Sequence, residues 1–137
     1  MPKFSNRSRE NLSTCDPRLQ KLFWEVIKTF NCTVVQGHRN EIQQNEYYKN
    51  GRSKLQWPES KHNRWPSLAV DVAPHPINWQ DTNRFYYFSG YVKGIARMME
   101  IPIRWGGDWD DDTNTFEERF KDLIHFELPE KRKGVNK

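Results

Sequence analysis

Leu19, Leu22, Phe23, Val26, Ile27 and Phe30 recur at i, i+3, i+4, i+7, i+8 and i+11, which puts six apolar side chains on one helical stripe. Asp16 is a good N-cap, and Pro17 suits the first helical position, where a missing N–H does no harm. A helix over 17–30 must bury that stripe against something. Four short segments of a different period offer the surface. Cys32 to Gln36 is β-branched, 68–73 alternates until Pro74, 101–105 stops at Gly106-Gly107, and 123–128 alternates until Pro129. A polar helix is expected from Asn40 to about Asn50-Gly51. A third helix, over about 82–100, would bury Phe85, Phe88, Val92, Ile95 and Met99. Helices and short strands mixed without a regular βαβ rhythm predict an α+β fold.

The chain has 137 residues, which predicts one domain. Residues 1–12 and 130–137 are polar and basic and read as frayed ends, leaving an ordered core of about 13–129 and a basic tail. Between 51 and 67 no period is visible. A loop this long in a compact domain is usually functional or disordered, and the rings of Trp57 and Trp65 favour a packed, functional one.

Composition excludes several classes. No run of apolar residues is long enough for a membrane span. The first residues lack the apolar run of a secretory leader, so the expected location is the cytoplasm of the producing cell. Mean hydropathy is −1.01, which by itself would suit disorder, but 6 Trp, 8 Phe and 5 Tyr argue against it. Two cysteines, Cys15 and Cys32, are too few for a disulfide framework or a thiolate zinc cluster. They read as reduced thiols, with a single bridge left open.

Chemistry has to come from few residues. On the strand around Asp71, Val70 and Val72 point one way while Ala69, Asp71 and Ala73 point the other. The carboxylate is flanked by methyl groups, with room above it for a metal ion or for the cation of a salt bridge. On the last strand, Ile124, Phe126 and Leu128 share one face and Leu123, His125 and Glu127 the other. Asp122 lies three residues before His125. A strand alone separates such a pair, so the chain must turn at Asp122 if the two are to cooperate.

Ser60-Lys61-His62, then Ala69-Val70-Asp71, Gly106-Gly107-Asp108-Trp109 and Asp122-Leu123-Ile124-His125-Phe126-Glu127-Leu128 follow in an order that resembles the zinc peptidases of peptidoglycan stem peptides. That family holds D-alanyl-D-alanine dipeptidases and carboxypeptidases and the L-alanoyl-D-glutamate endopeptidases of phage lysins. Val35-Gln36-Gly37-His38-Arg39 resembles the family's upstream strand and arginine, and the likeness covers about residues 17–129. It implies a small central antiparallel sheet with helices packed on it, as in hedgehog and D-Ala-D-Ala peptidase folds, with zinc at the sheet. His62, Asp71 and His125 would be the zinc ligands, Asp122 the catalytic carboxylate, Arg39 the substrate or oxyanion clamp and Ser60 a substrate contact. Two imidazoles and one carboxylate leave zinc an open position, the mark of a catalytic site. Asp108 is the expected acceptor behind His125. The His62-to-Asp71 gap is two residues longer than usual, so the loop over 63–68 should bulge. Asp122 stands where many members carry Glu, which resembles the phage endopeptidase branch.

The implied protein is a phage or prophage endolysin, most simply a monomer, that acts on peptidoglycan stem peptides in the periplasm after release by another protein. A D-alanyl-D-alanine carboxypeptidase is the nearest alternative. His38 and His75 are spare and read as hydrogen-bonded loop residues. Residues 108–122 hold seven carboxylates against Arg119 and Lys121. An EF-hand is rejected, because Thr113 occupies the place of the turn glycine and Arg119 that of the bidentate Glu. A looser Ca²⁺ site there is the remaining expectation. Two further classes compete. One is a single-stranded nucleic-acid module, favoured by a pI near 9.1 and pairs such as Arg64-Trp65 and Arg104-Trp105, and opposed by a net charge of only +4. The other is a catalytically dead zinc domain. The leading expectation is the enzyme, with no nucleic acid and no membrane insertion.

Overall fold

The computed structural model describes residues 2–113 and 122–129. The elements run α1 (Asn6–Ser13), α2 (Pro17–Val26), β1 (Cys32–Gln36), α3 (Glu41–Lys49), a 3₁₀ turn (Lys61–Asn63), β2 (Ala69–Pro74), α4 (Thr82–Met98), β3 (Arg104–Gly106) and β4 (Asp122–Glu127). The strands form one antiparallel sheet in the order β1-β2-β4-β3. This is the α+β arrangement expected from the patterning. Among the described residues no helix is long and apolar enough to cross a membrane.

Register divides the sheet into two faces. Val34 opposes Val72, and Val70, Phe126 and Trp105 line up across β2, β4 and β3. All five side chains are buried on the side that receives the helices. Phe126 meets Phe23 of α2 at 5.5 Å and Phe88 of α4 at 6.2 Å, ring centre to ring centre. Burial of each such ring contributes roughly 1.5–3 kcal/mol. The helix α2 closes at Val26, yet Phe30 still reaches this core, 4.9 Å from Phe88. The opposite face carries Gln36, Asp71, His125, Glu127 and Arg104 in adjoining register positions.

One expectation fails at the start of the chain. Residues 6–13 are not frayed but form α1, capped by Ser5, with Phe4 and Leu12 fully buried. Its polar residues hid it: Ser8 accepts a hydrogen bond from the Val34 amide at 3.0 Å, and the Asn11 amide donates to the Val34 carbonyl at 2.9 Å. Both belong to the outer edge of β1. Smaller differences lie at β3, which begins at Arg104 after the buried Ile101 and Ile103, and in the 51–67 loop, where Trp65 is 70% exposed rather than packed. The extra length at 63–68 does bulge. Its base closes by a hydrogen bond from the Leu68 amide to the Lys61 carbonyl, and Trp65 at its tip rests edge-on against His38.

Cys15 and Cys32 are both buried free thiols, and burial pushes each up to about 12, so neither is a nucleophile at neutral pH. The basic tail at 130–137 lies outside the described residues, as do Asn114, Glu117, Glu118, Arg119 and Lys121 of the acidic stretch.

Candidate active site

His62 is delivered by a short, heavily braced turn. Ser60 caps it, its hydroxyl accepting from the His62 amide at 3.1 Å, while Asn63 Oδ1 accepts from the Ser60 amide at 3.0 Å. The turn is then tied to the corner after β1: the Arg39 amide donates to the His62 carbonyl at 2.8 Å, and Asn63 Nδ2 donates to the Arg39 carbonyl at 3.0 Å. Asp71 and His125 oppose each other across β2 and β4, so their side chains rise from the same face. His62 Nε2 lies 3.1 Å and His125 Nδ1 3.3 Å from one oxygen of Asp71. The three residues are buried, and their donor atoms fall within 4.8 Å of one another.

The outer atoms of both imidazoles are committed. His62 Nδ1 is 2.7 Å from the Gly37 carbonyl, an acceptor only, so it carries a proton and leaves Nε2 as the atom that a metal would take. His125 Nε2 is 2.8 Å from Glu127 Oε1, which likewise turns Nδ1 inward. Two imidazoles with fixed tautomers and a carboxylate, all converging, fit a divalent ion such as zinc. Glu127, not the expected Asp108, stands behind His125. Asp108 instead accepts the amides of Thr113 and Asp112 at 2.8 and 3.3 Å, closing its own loop. Asp108, Asp110 and Asp112 do approach one another, but the first is spent on that turn and the other two are exposed, so the expected Ca²⁺ site has no support.

The electrostatics of the cluster follow from burial and pairing. Burial alone would raise Asp71, yet His62 and His125 overcome it and hold the carboxyl well below its ordinary value. Burial disfavours the His125 imidazolium, but Asp71 and Glu127 outweigh it and raise His125 from 6.5 to about 9. Glu127 is paired with three cations, His125 at 2.8 Å, Lys61 at 3.2 Å and Arg104 at 3.4 Å, and burial, which would raise its carboxyl, is overcome by His125 and Lys61, which lower it. Asp122 goes the other way: burial first, then the charge of Asp71, raise it above 3.8. It lines the same cleft as His62 and His125, a recess of about 300 Å³.

Asp122 reaches the cleft through an irregularity. Trp105 pairs with Phe126, but the next residue, Gly106, pairs with Asp122, so 123–125 bulge out of the β3–β4 ladder. This is the turn that the Asp122–His125 spacing requires. Gly106 is obligatory, because a Cβ there would collide with the Asp122 carbonyl.

Arg39 is buried and lines the cleft. It donates to Gln44 at 2.9 Å and Gln36 at 3.2 Å, stacks on Tyr47 at 4.0 Å, and stands 3.7 Å from Asp71. Ser60 lines the cleft although its hydroxyl serves the turn. His38 and His75 stay out of the cluster, against Trp65 and Thr33. Three residues were not given a role from the sequence. Glu127 shares a strand face with His125, a signal that was visible. Trp109 sits 5.3 Å from the His125 ring. Gln44, fully buried on the polar helix α3, bonds Arg39, Asn63, Ser53 and the Leu55 carbonyl.

Comparison with known proteins adds the following. The family model described as phage L-alanyl-D-glutamate peptidase matches residues 1–129. The L-alanyl-D-glutamate peptidase of Escherichia phage T5 is 31% identical over 113 residues, 79% of this chain and 82% of that protein. The peptidoglycan L-alanyl-D-glutamate endopeptidase CwlK of Bacillus subtilis is 28% identical over 117 residues, 74% of this chain and 62% of that one. The crystal structure of the Serratia marcescens L-Ala D-Glu endopeptidase ChiX superposes with a TM-score of 0.73 at 27% identity, covering 93% of this chain and 90% of that one.

Proposed function

Because the chain belongs to the phage L-alanyl-D-glutamate peptidase family, we propose that it is a zinc endopeptidase cutting the L-alanyl–D-glutamate bond of peptidoglycan stem peptides. The observation that carries the reading is the convergence of His62 Nε2, Asp71 Oδ1 and His125 Nδ1, with both tautomers set from behind, on the floor of a cleft that also holds Asp122. These three residues would hold the metal. When bound, zinc with three protein ligands supplies Lewis acidity toward water and toward a scissile carbonyl.

The side chains do the rest. Asp122, with its proton affinity raised, takes a proton from the attacking water and hands it to the leaving amine. Arg39, a planar cation held by Gln36, Gln44 and Tyr47, supplies positive charge toward the developing oxyanion or a substrate carboxylate. Ser60 lines the cleft where the substrate would lie, while its hydroxyl keeps His62 in place. The peptidase domain acts as a monomer on the wall after release from the cell that makes it, as a phage endolysin does.

Digestion of purified peptidoglycan followed by mass spectrometry of the fragments tests this. Glycan strands that keep L-alanine and free peptides that begin with D-glutamate are expected. Chelation should stop their release and zinc restore it. Loss of terminal D-alanine alone would mark a carboxypeptidase, and zinc binding without any release would mark an inert domain.

A further inference from the structure

Asp122 stands where two recesses meet. The first is the cleft already described, and Arg39, Arg52 and Lys54 are among its lining residues. The second, about 250 Å³, is walled by Trp79, Phe85, Leu123 and Ile124, and among the described residues Asp122 is the only charged one that lines it. Trp79 is 59% exposed and Phe85 3%, and their rings stack at 5.7 Å with an interplanar angle of 11°. Phe85 is a buried residue of α4. The indole above it is held flat by that buried ring and shows its outer surface to solvent, a preorganised platform.

We propose that this recess is the subsite for the glycan side of the substrate, taking the L-alanine methyl beside Asp122 and the muramyl sugar on the face of Trp79. The proposal rests on the peptidase reading above and gives the cleft a direction. Beyond the scissile bond on the D-glutamate side, the stem carries free carboxylates. On the other side lie an alanine, a lactyl ether and an N-acetylated sugar, none of them charged. On one side of the general base Arg39, Arg52, Lys54 and Lys61 outnumber Glu59 and Glu127, and on the other the described lining is aromatic and aliphatic, which matches that asymmetry. A sugar ring offers an apolar C–H face, which an exposed indole accommodates without any charged partner.

The test compares two substrates on the zinc-loaded enzyme, the free stem peptide and the same peptide with N-acetylmuramic acid on its L-alanine. Wild type should prefer the muramyl peptide in kcat/KM. Trp79→Ala should cut that preference about tenfold, chiefly through KM, and Trp79→Phe should retain most of it. Arg52→Ala should change KM for both substrates by the same factor. An unchanged preference in Trp79→Ala, or a preference moved by Arg52→Ala instead, overturns the subsite. Failure of the wild type to cut either substrate overturns the peptidase reading, and the subsite with it.

Discussion

The two faces of one four-stranded sheet follow opposite rules. On the helix side Val34, Val70, Val72, Trp105 and Phe126 interlock with α2 and α4, and any side chain of similar size and apolarity would satisfy that surface. On the other face Gln36, brought round by the register shift after Val34, joins Asp71, His125, Glu127 and Arg104 in a buried to half-buried polar layer in which each group depends on a named partner. Strand alternation keeps the two apart although they share every backbone hydrogen bond. Stability is concentrated on one face and chemistry on the other, and substitutions should therefore separate into two kinds.

The largest effect should come from Asp122, which lines the cleft beside the polar layer without being one of the three clustered groups. Asp122→Ala should lower peptidoglycan hydrolysis by about 10²–10⁴-fold, with zinc content and thermal midpoint unchanged. Metal analysis and a melting curve beside the turbidity assay read all three, and full lysis by the variant would remove Asp122 from the mechanism. Phe126→Ala should do the reverse and cost about 3–5 kcal/mol in urea unfolding, while any folded fraction still binds zinc. A large loss of zinc affinity in that folded fraction would show that the faces are not independent. Glu127→Gln should weaken zinc binding about 10–100-fold with a small change in unfolding free energy, measured by competition with a chromogenic chelator.

The smallest effect is in pH. In the metal-free protein His125 is raised from 6.5 to about 9 by Asp71 and Glu127. Its folded value lies above its unfolded one, so the stability it contributes is complete below about 6.5 and is lost as pH rises through 9. Zinc must displace that proton, so its apparent affinity should rise about tenfold per pH unit over the same interval. Metal-free melting temperature and zinc affinity should thus move in opposite directions from pH 6.5 to 9. Calorimetry in buffers of different ionisation enthalpy should register about one proton released per zinc at pH 7.

The apolar face was legible in the sequence and much of the polar face was not. A stripe at Leu19, Leu22, Phe23 and Val26 and the alternation around Val70 and Phe126 are local patterns, and local patterns survive without knowledge of partners. The nearness of His62, Asp71 and His125 came from resemblance in motif order, since nothing in their spacing reports a shared register. Gln44 was unreadable for a related reason. It sits on a helix with hardly any apolar face, and its burial depends on Arg39, Ser53, Leu55 and Asn63 closing round it. The Asp122–His125 pair is intermediate: the spacing demanded a distortion, and only the Gly106 register shift shows what it is. The helix α1 was missed because its contribution is polar, two side chains answering the backbone of an outer strand.

That last arrangement bears on how the protein behaves at high concentration. A strand at the border of a sheet is a template on which another copy can add. Ser8 and Asn11 occupy the outward amide and carbonyl of Val34, so the first strand offers no vacant rung there to a neighbour. The opening helix thereby covers part of an edge on which another strand would otherwise pair, a service unrelated to peptide cleavage.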